Sequence, residues 1–343
     1  LPSPAGSEDR LGTLDTVTST AQHRPVVRVG AVAAVVLAMA LVSGCQPTPP
    51  PPPPSPDPAR AMVAAGLGAW WDVWDWSPTF VRSRNPAASP PLGLADVDRL
   101  AAARVRTLYI QTATFRHPDV MLDRSLLRRI VDRAHARGMR VVGWYLPEFR
   151  DLKYDLDRLV AIGQFGFDGL GVDIESTANP DVADRTRKLV TESRFLRGAF
   201  GDLPLVAIPV TPVIWEELNR SWWPNFPYRE LVPFYDAWAP MAYWSYRTPA
   251  SGWKDPYRYT YESVVRLRRL TGRPDLAVHP IGGEAAGLTG EDIFWMNAAM
   301  IDSGKARSPG WRAIAPILTV RPEVSGAVSC GMRPSVGLMP AFA

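Results

Sequence analysis

The stretch from Phe167 to Glu175, FDGLGVDIE, constrains the fold more than any other part of the sequence. Successive side chains of an extended strand alternate between its two faces. Gly171, Asp173 and Glu175 therefore share one face, and aliphatic side chains occupy the other. Acids opposite an aliphatic face are typical of a parallel barrel strand, which packs on helices on one side and lines the barrel on the other. The pattern predicts Glu175 at the carboxyl-end rim, with Asp173 one layer below.

Strand-like and helix-like segments alternate along the rest of the chain, as in repeated βα units. We predict an α/β fold, a (β/α)8 TIM barrel with the stretch above as strand four. The other strands are predicted at 63–72, 105–112, 140–146, 205–210, 237–244 and 276–281, and the main helices near 94–103, 123–138, 155–162, 179–197, 262–270 and 289–303. The eighth strand is weak or missing, because its candidate at 313–320 contains Pro316 and the tail from about residue 305 has little periodicity.

The stretch at 167–175 resembles the DGxDxDxE motif of the chitinase-type (family 18) glycoside hydrolases. Asp168, Gly169, Asp173 and Glu175 match the motif, and Gly171 stands where that family has its first Asp. The resemblance implies that Glu175 is the general acid and that Asp173 positions the acetamido group of the substrate.

A second segment, Met241-Ala242-Tyr243, resembles the M-x-Y motif on strand six of the same family. The resemblance implies that the Tyr243 hydroxyl supports the acetamido group. Trp244 stands where an Asp usually follows.

Side chains that end barrel strands meet at one face of the barrel, whatever their separation in sequence. Here they are acids and aromatics, which suits glycosides: cleavage needs a proton donor and a second carboxylate, and aromatic faces stack on sugar rings. The substrate-binding candidates are Trp71, Asp72, Gln111, Tyr145 and Trp244.

Two mechanisms are open. In the first, Glu175 is the acid and the acetamido group of the sugar attacks, assisted by Asp173 and Tyr243. In the second, Glu175 is the acid/base and Glu284, after strand seven, is the nucleophile. A carboxyl separation of about 5–5.5 Å would favour direct attack, and about 6.5–9.5 Å an inverting route.

The amino-terminal part of the chain predicts an export signal. Arg24 and Arg28 precede an apolar run at 29–42 that is too short for a membrane span and fits a signal-peptide core. The run ends in Leu-Val-Ser-Gly-Cys45, which resembles a bacterial lipobox and implies that Cys45 is lipidated. The mostly proline segment that follows predicts an extended spacer. The predicted divisions are a leader and signal peptide at 1–44, the lipidated Cys and Pro-rich linker at 45–60, the barrel at 61–304 and an irregular tail at 305–343.

Composition and motifs narrow the function. The net charge of +4 has no clustered basic run, which argues against nucleic acid as a partner. No metal-ligand spacing or glycine-rich phosphate loop is found, so no cofactor is predicted. We predict a glycoside hydrolase acting on envelope or environmental polysaccharide, lipid-anchored at the extracytoplasmic face of the cell membrane. The alternatives are a non-catalytic carbohydrate-binding lipoprotein on a degenerate barrel, and a structural envelope protein with an exposed aromatic patch around Trp222 and Trp223.

Overall fold

The computed structural model of the chain describes residues 57–282 and 290–305. The predicted lipidation site Cys45, the candidate nucleophile Glu284 and the candidate eighth strand at 313–320 lie outside these ranges. No helix within the two ranges combines the length and the hydropathy needed to cross a membrane.

Six parallel strands form one sheet and pair in chain order. They are β1 Gly68–Trp71, β2 Thr107–Gln111, β3 Arg140–Tyr145, β4 Gly169–Ile174, β5 Leu205–Pro209 and β6 Ala237–Trp238. Parallel bridges from Trp238 to Val278 and from Met241 to Ile281 continue the sheet into the segment predicted as strand seven. The predicted α/β fold with a parallel, barrel-type sheet is confirmed, and no eighth strand occurs among the described residues.

Helices follow the strands and cover one side of the sheet. They are α1 Pro58–Ala61, α2 Val73–Trp76, α3 Pro78–Arg84, α4 Leu94–Ala102, α5 Arg124–Ala136, α6 Leu152–Gly163, α7 Val182–Ala199, α8 Tyr228–Leu231, α9 Pro256–Thr271 and α10 Gly290–Lys305. The apolar stripe of α5 is buried at Leu127, Ile130, Val131 and Ala134, as its spacing predicts.

Aspartates begin three of the long helices. Asp151, Asp181 and Asp255 each accept a hydrogen bond from a backbone N–H in the first turn of α6, α7 and α9. The helix predicted to begin at Asn179-Pro180 therefore begins two residues later. Asp123, the first residue of the helix predicted at 123–138, precedes α5, has a left-handed φ of 36° and makes no capping bond. Its carboxylate instead accepts hydrogen bonds from the Thr79 N–H at 3.1 Å and hydroxyl at 2.6 Å.

The surroundings of Gly143 in β3 show which face of the sheet is covered by helices and which is the inner face. A Cβ built on Gly143 would lie 2.7 Å from Phe167 and 2.9 Å from Ile162 of α6, so this residue faces the helices. Its neighbour Trp144 therefore points to the inner face. Because Trp144 pairs with Gly171 of β4, Gly171 also lies on the inner face, and Asp173 follows it there.

The inner side chains form layers contributed by alternate strands, as in TIM barrels. Since barrel strands are tilted, a layer rises by about two residues for every two strands crossed. The register accordingly places Trp70, Trp144 and Ile208 in one layer. Gln111 and Asp173 belong to the next layer towards the carboxyl ends of the strands.

Strand six is shorter than its apolar sequence predicts. Continuous pairing stops after Trp238, and one more bridge forms at Met241 before a 3-10 helix begins at Trp244. Pro240 interrupts the strand because proline has no N–H to donate to the ladder. Strand one also starts late, since the segment Met62–Ala64 forms a 3-10 turn.

The buried carboxylate of Asp236 links several segments at the amino-terminal ends of β5 and β6. Asp236 is 1% exposed. It accepts hydrogen bonds from Arg60 Nε at 2.9 Å, Arg197 Nη2 at 2.5 Å and the Leu205 N–H at 3.0 Å. One acid thus joins α1, α7 and the start of the last two strands.

The aromatic segment after β5 packs inward. Trp223 is 1% exposed and lies against Phe149, Trp215 and Phe226. The guanidinium of Arg185 lies 4.2 Å from its ring centre. Trp223 therefore does not contribute to the exposed patch expected of a structural envelope protein, and Trp222 is partly exposed.

Candidate active site

Two acids end strand β4 on the inner face. Asp173 is the next-to-last residue of the strand and is 5% exposed, and Glu175, one residue beyond the strand, is partly exposed. The Oδ1 of Asp173 has no hydrogen-bond partner within the described residues. The strand thus presents one buried acid and one acid at the rim, in the order predicted from the alternation.

Both acids hold protons more tightly than free carboxyls. Burial raises the pKa of Glu175 to about 7. Burial also raises the pKa of Asp173 well above its ordinary value, and the neighbouring Glu175 charge raises it further. A carboxyl with a pKa near 7 is still partly protonated at neutral pH and can serve as a general acid.

The rim beside Glu175 is tied to the segment after β5. Trp222 Nε1 donates a hydrogen bond to the backbone carbonyl of Glu175 at 2.8 Å. The Trp222 carbonyl in turn accepts a hydrogen bond from Arg185 Nη2 at 2.5 Å. These bonds fix the backbone at the acid.

Gly171 explains why this strand carries two inner acids rather than three. A Cβ at this position would lie 2.7 Å from Ile208 Cδ1 and 2.9 Å from Trp144 Cβ. The second contact is to an atom held by the backbone of β3, so it cannot be relieved by a rotamer change. An Asp at 171, as in the family 18 motif, does not fit this interior.

Of the predicted substrate-binding residues, Asp72 and Gln111 lie at the carboxyl ends of β1 and β2. Asp72 caps α2 by accepting hydrogen bonds from the Trp74 N–H at 2.7 Å and the Asp75 N–H at 3.3 Å. Gln111 Oε1 accepts a hydrogen bond from the Val73 N–H at 3.1 Å. Both side chains organise the loop after β1 on the same side of the sheet as the acid pair.

Trp71 and Tyr145 lie on the other face, which differs from the expectation that they line the mouth. Trp71 is fully buried and pairs with Ile110, which pairs with Gly143. Because Gly143 faces the helices, Trp71 faces them too. The Tyr145 hydroxyl donates a hydrogen bond to Asp155 of α6 at 2.9 Å. The aromatic residue before each of them, Trp70 and Trp144, holds the inner position instead.

The two aromatics after β6 have different surroundings. Tyr243 is partly exposed, with its ring centre 5.9 Å from that of Tyr246. Trp244 is buried in a second apolar cluster with Val213, Trp253 and Tyr259. Tyr243 is therefore the accessible member of the pair, and Trp244 is a packing residue.

Asp168, the first residue of the predicted motif, holds the opposite end of β4. Its Oδ2 accepts a hydrogen bond from the Val141 N–H at 2.7 Å and contacts His135 Nε2 at 2.8 Å. His135 belongs to α5. Asp168 thus joins β4 to β3 and α5 and lies away from the acid pair.

His279 lies on the inner face of the strand-seven segment and is 1% exposed. Neither ring nitrogen has a hydrogen-bond partner within the part of the chain that the structure describes. Burial, together with the charges of Arg268 and Arg140, lowers the pKa of His279 to about 3, so the ring is neutral at neutral pH.

No protein-family model and no curated protein matches this chain. Among solved structures, it is similar to a trimodular endoglucanase of subfamily GH5_4, with a TM-score of 0.50, 11% identity, and coverage of 77% of this chain and 57% of that one. It is also similar to a GH5-4 endoglucanase from Clostridium longisporum, with a TM-score of 0.47, 12% identity, and coverage of 77% and 87%. A GH18 chitinase from Pseudoalteromonas aurantia gives a TM-score of 0.41, 12% identity, and coverage of 63% and 80%. The chain spans less than two thirds of the first endoglucanase, and the likeness to it shows a fold shared with TIM-barrel glycoside hydrolases.

Proposed function

We propose that this protein hydrolyses glycosidic bonds, with Glu175 as the general acid. The observation that carries the proposal is the acid pair at the end of β4, in which Asp173 is buried and Glu175 reaches the rim. Glycosidic cleavage needs a protonated carboxyl beside the leaving oxygen, and the raised pKa of Glu175 meets that requirement.

Asp173 lies one layer below Glu175 and acts on the bound substrate from there. Its raised pKa favours the protonated form, and a protonated carboxyl can donate a hydrogen bond to a polar group of the substrate. In the acetamido-assisted route this group is the substrate's own amide, and the Tyr243 hydroxyl assists Asp173 in supporting it. In the alternative route Glu284 attacks the sugar directly, and Glu175 is the acid/base.

Substrate chemistry separates the two routes. An acetamido-assisted enzyme turns over N-acetylhexosaminides and leaves the matching 2-hydroxy glycosides intact. A direct nucleophile at Glu284 cleaves both, and it accumulates a covalent intermediate with a 2-fluoro glycoside unless Glu284 is replaced by Gln.

The decisive variant is Glu175→Gln, which keeps the shape of the side chain and removes its proton. We expect turnover to fall by about 10²–10⁴-fold while glycan binding is retained. Reducing-end release from a panel of envelope and plant polysaccharides measures turnover, and calorimetry measures binding. Glu230→Gln, an exposed site on α8, is the matched control and should leave both unchanged. Full turnover by Glu175→Gln would remove Glu175 from the mechanism.

A non-catalytic carbohydrate-binding protein is the second candidate. The packing around Gly171 favours it, because this interior excludes the first of the three family 18 acids. It predicts glycan binding without turnover in the wild-type protein.

The proposed setting is the extracytoplasmic face of the cell membrane, with Cys45 lipidated and the proline-rich segment as a spacer. The predicted export signal and the lipobox-like sequence support this proposal. Replacing Cys45 by Ser should abolish incorporation of labelled fatty acid and release the protein from the membrane fraction. Retention of the label in that variant would contradict it.

A further inference from the structure

Strand β1 places one tryptophan, Trp70, on the inner face of the sheet. Trp70 is partly exposed, whereas the other three residues of its strand are buried. It pairs with Tyr109 of β2, which pairs with Val142 of β3. Val142 is the neighbour of Gly143 in the strand and faces the opposite side, away from the helices. Trp70 therefore points to the same side of the sheet as Asp173.

Two further rings hold this indole in place. Its centre lies 4.7 Å from that of Trp144, with 32° between the planes, and 5.3 Å from that of Tyr109, with 22° between the planes. A ring backed in this way is already ordered, so a ligand that stacks on it pays little additional entropy. The three rings are those of Trp70, Trp144 and Tyr109. We call them together the indole platform, after the two tryptophan side chains.

The indole platform lies next to the acid pair. Trp70 and Trp144 share one layer, and Asp173 and Gln111 occupy the adjoining layer towards the rim. Trp144 Nε1 and Asp173 Oδ1 are buried and make no hydrogen bond with any described residue. A donor and an acceptor of this kind are the groups that sugar hydroxyls can satisfy.

The inner face carries little positive charge. Among its described strand residues the permanent cation is Arg140, at the start of β3. Its guanidinium is already engaged, since Nε donates to the Val63 carbonyl at 3.0 Å and Nη2 to the Thr107 hydroxyl at 3.1 Å. A sugar carboxylate bound near Asp173 and Glu175 would therefore find no uncommitted cation among the described strand residues of the inner face.

We propose that Trp70 is the stacking platform for the apolar face of a neutral pyranose ring held against the acid pair. This inference rests on the proposed action on glycosides. C–H groups of a pyranose pack on an aromatic face by dispersion, which favours neutral rings with an uninterrupted apolar side. Trp70 is thus a binding residue that sets substrate class, and Glu175 performs the proton transfer.

The test compares Trp70→Phe with Trp70→Leu, each combined with Glu175→Gln so that binding is measured without turnover. Both replacements are apolar and smaller than Trp, and they differ in having or lacking an aromatic face. Trp295→Ala, at a tryptophan 44% exposed on α10, is the control. The probes are hexamers of β-1,4-glucose, α-1,4-glucose, β-1,4-N-acetylglucosamine and galacturonic acid, with affinity read by calorimetry and folding by thermal unfolding.

We expect the Phe variant to bind at least one neutral hexamer within about threefold of the parent, and the Leu variant to bind it about tenfold more weakly at equal thermal stability. The galacturonate hexamer should bind more weakly than the neutral one in the parent and control. Equal affinities of the Phe and Leu variants, or preferred binding of galacturonate, would overturn the Trp70 assignment and leave the proposed hydrolysis standing. If the parent binds none of the hexamers and the wild-type protein cleaves none, both proposals fail.

Discussion

The substitution Gly171→Ala tests whether the inner face of β4 has room for a side chain at position 171, where the family 18 motif has an Asp. The added Cβ would lie 2.7 Å from Ile208 Cδ1 and 2.9 Å from Trp144 Cβ. The isoleucine methyl can rotate away, but the tryptophan Cβ is fixed by β3. Overpacking of a core by one methyl costs about 1–3 kcal/mol, and replacing Gly by Ala returns about 0.4–1 kcal/mol through the unfolded chain. We therefore expect a net loss of about 0–2.6 kcal/mol in the free energy of unfolding, and about 1.3 kcal/mol at the midpoints of the two ranges.

Gly198→Ala is the matched control for this measurement. Gly198 lies near the end of α7, and a Cβ there would meet no atom within 4 Å. The same chemical change should therefore stabilise the protein by up to about 1 kcal/mol. Urea unfolding followed by tryptophan fluorescence measures both variants. If Gly171→Ala proves as stable as Gly198→Ala, Gly171 does not face Trp144 and Ile208, and the assignment of the inner face is wrong.

Three further predictions test other parts of the structure. The hydrolytic rate should fall as pH rises through about 7, because Glu175 must be protonated to act as the acid; a rate that rises across that range would contradict this role. Asp236→Ala should lower the free energy of unfolding by about 3 kcal/mol, since Arg60 and Arg197 lose a shared, buried partner; a chemical-denaturation curve that matches wild type would refute this. Burial, and then the charge of a nearby acid, raise the pKa of Glu192 well above 4.5, so wild-type stability is lost as pH rises above that value, and Glu192→Gln should increase stability at pH 8 but not at pH 4. Thermal unfolding at the two pH values checks the sign.

The inner position of the acid pair follows from the sequence because strand periodicity separates acids and aliphatic side chains without ambiguity. Asp173 and Glu175 share a face whatever residue is chosen as the start of β4. The strands are also nearly all identifiable, since each is a short apolar run between helical patterns. Long-range pairing is not needed for either inference.

The aromatic positions could not be predicted in the same way. Trp70 and Trp71 are adjacent aromatics, as are Trp144 and Tyr145, so neither pair has an apolar–polar contrast that assigns a face. A shift of one residue exchanges the faces, and the contacts of Gly143 that decide the question come from Ile162 of α6 and from Phe167 before β4, which only the folded structure brings to it. The signal that could have identified Trp144 is its place immediately after Gly143, where a glycine allows close packing of the helix.

The protonation of Glu175 tests the central claim most directly. Carboxyl ¹³C chemical shifts, followed from pH 3 to pH 9 in the wild-type protein and in Glu175→Gln, report it without any substrate. We predict one glutamate carboxyl that titrates near pH 7 and is missing from the variant, together with an aspartate whose raised pKa falls when the Glu175 charge is removed. If the Glu175 signal instead titrates near pH 4, its carboxyl is not desolvated beside Asp173, and it does not hold the proton that glycoside cleavage requires.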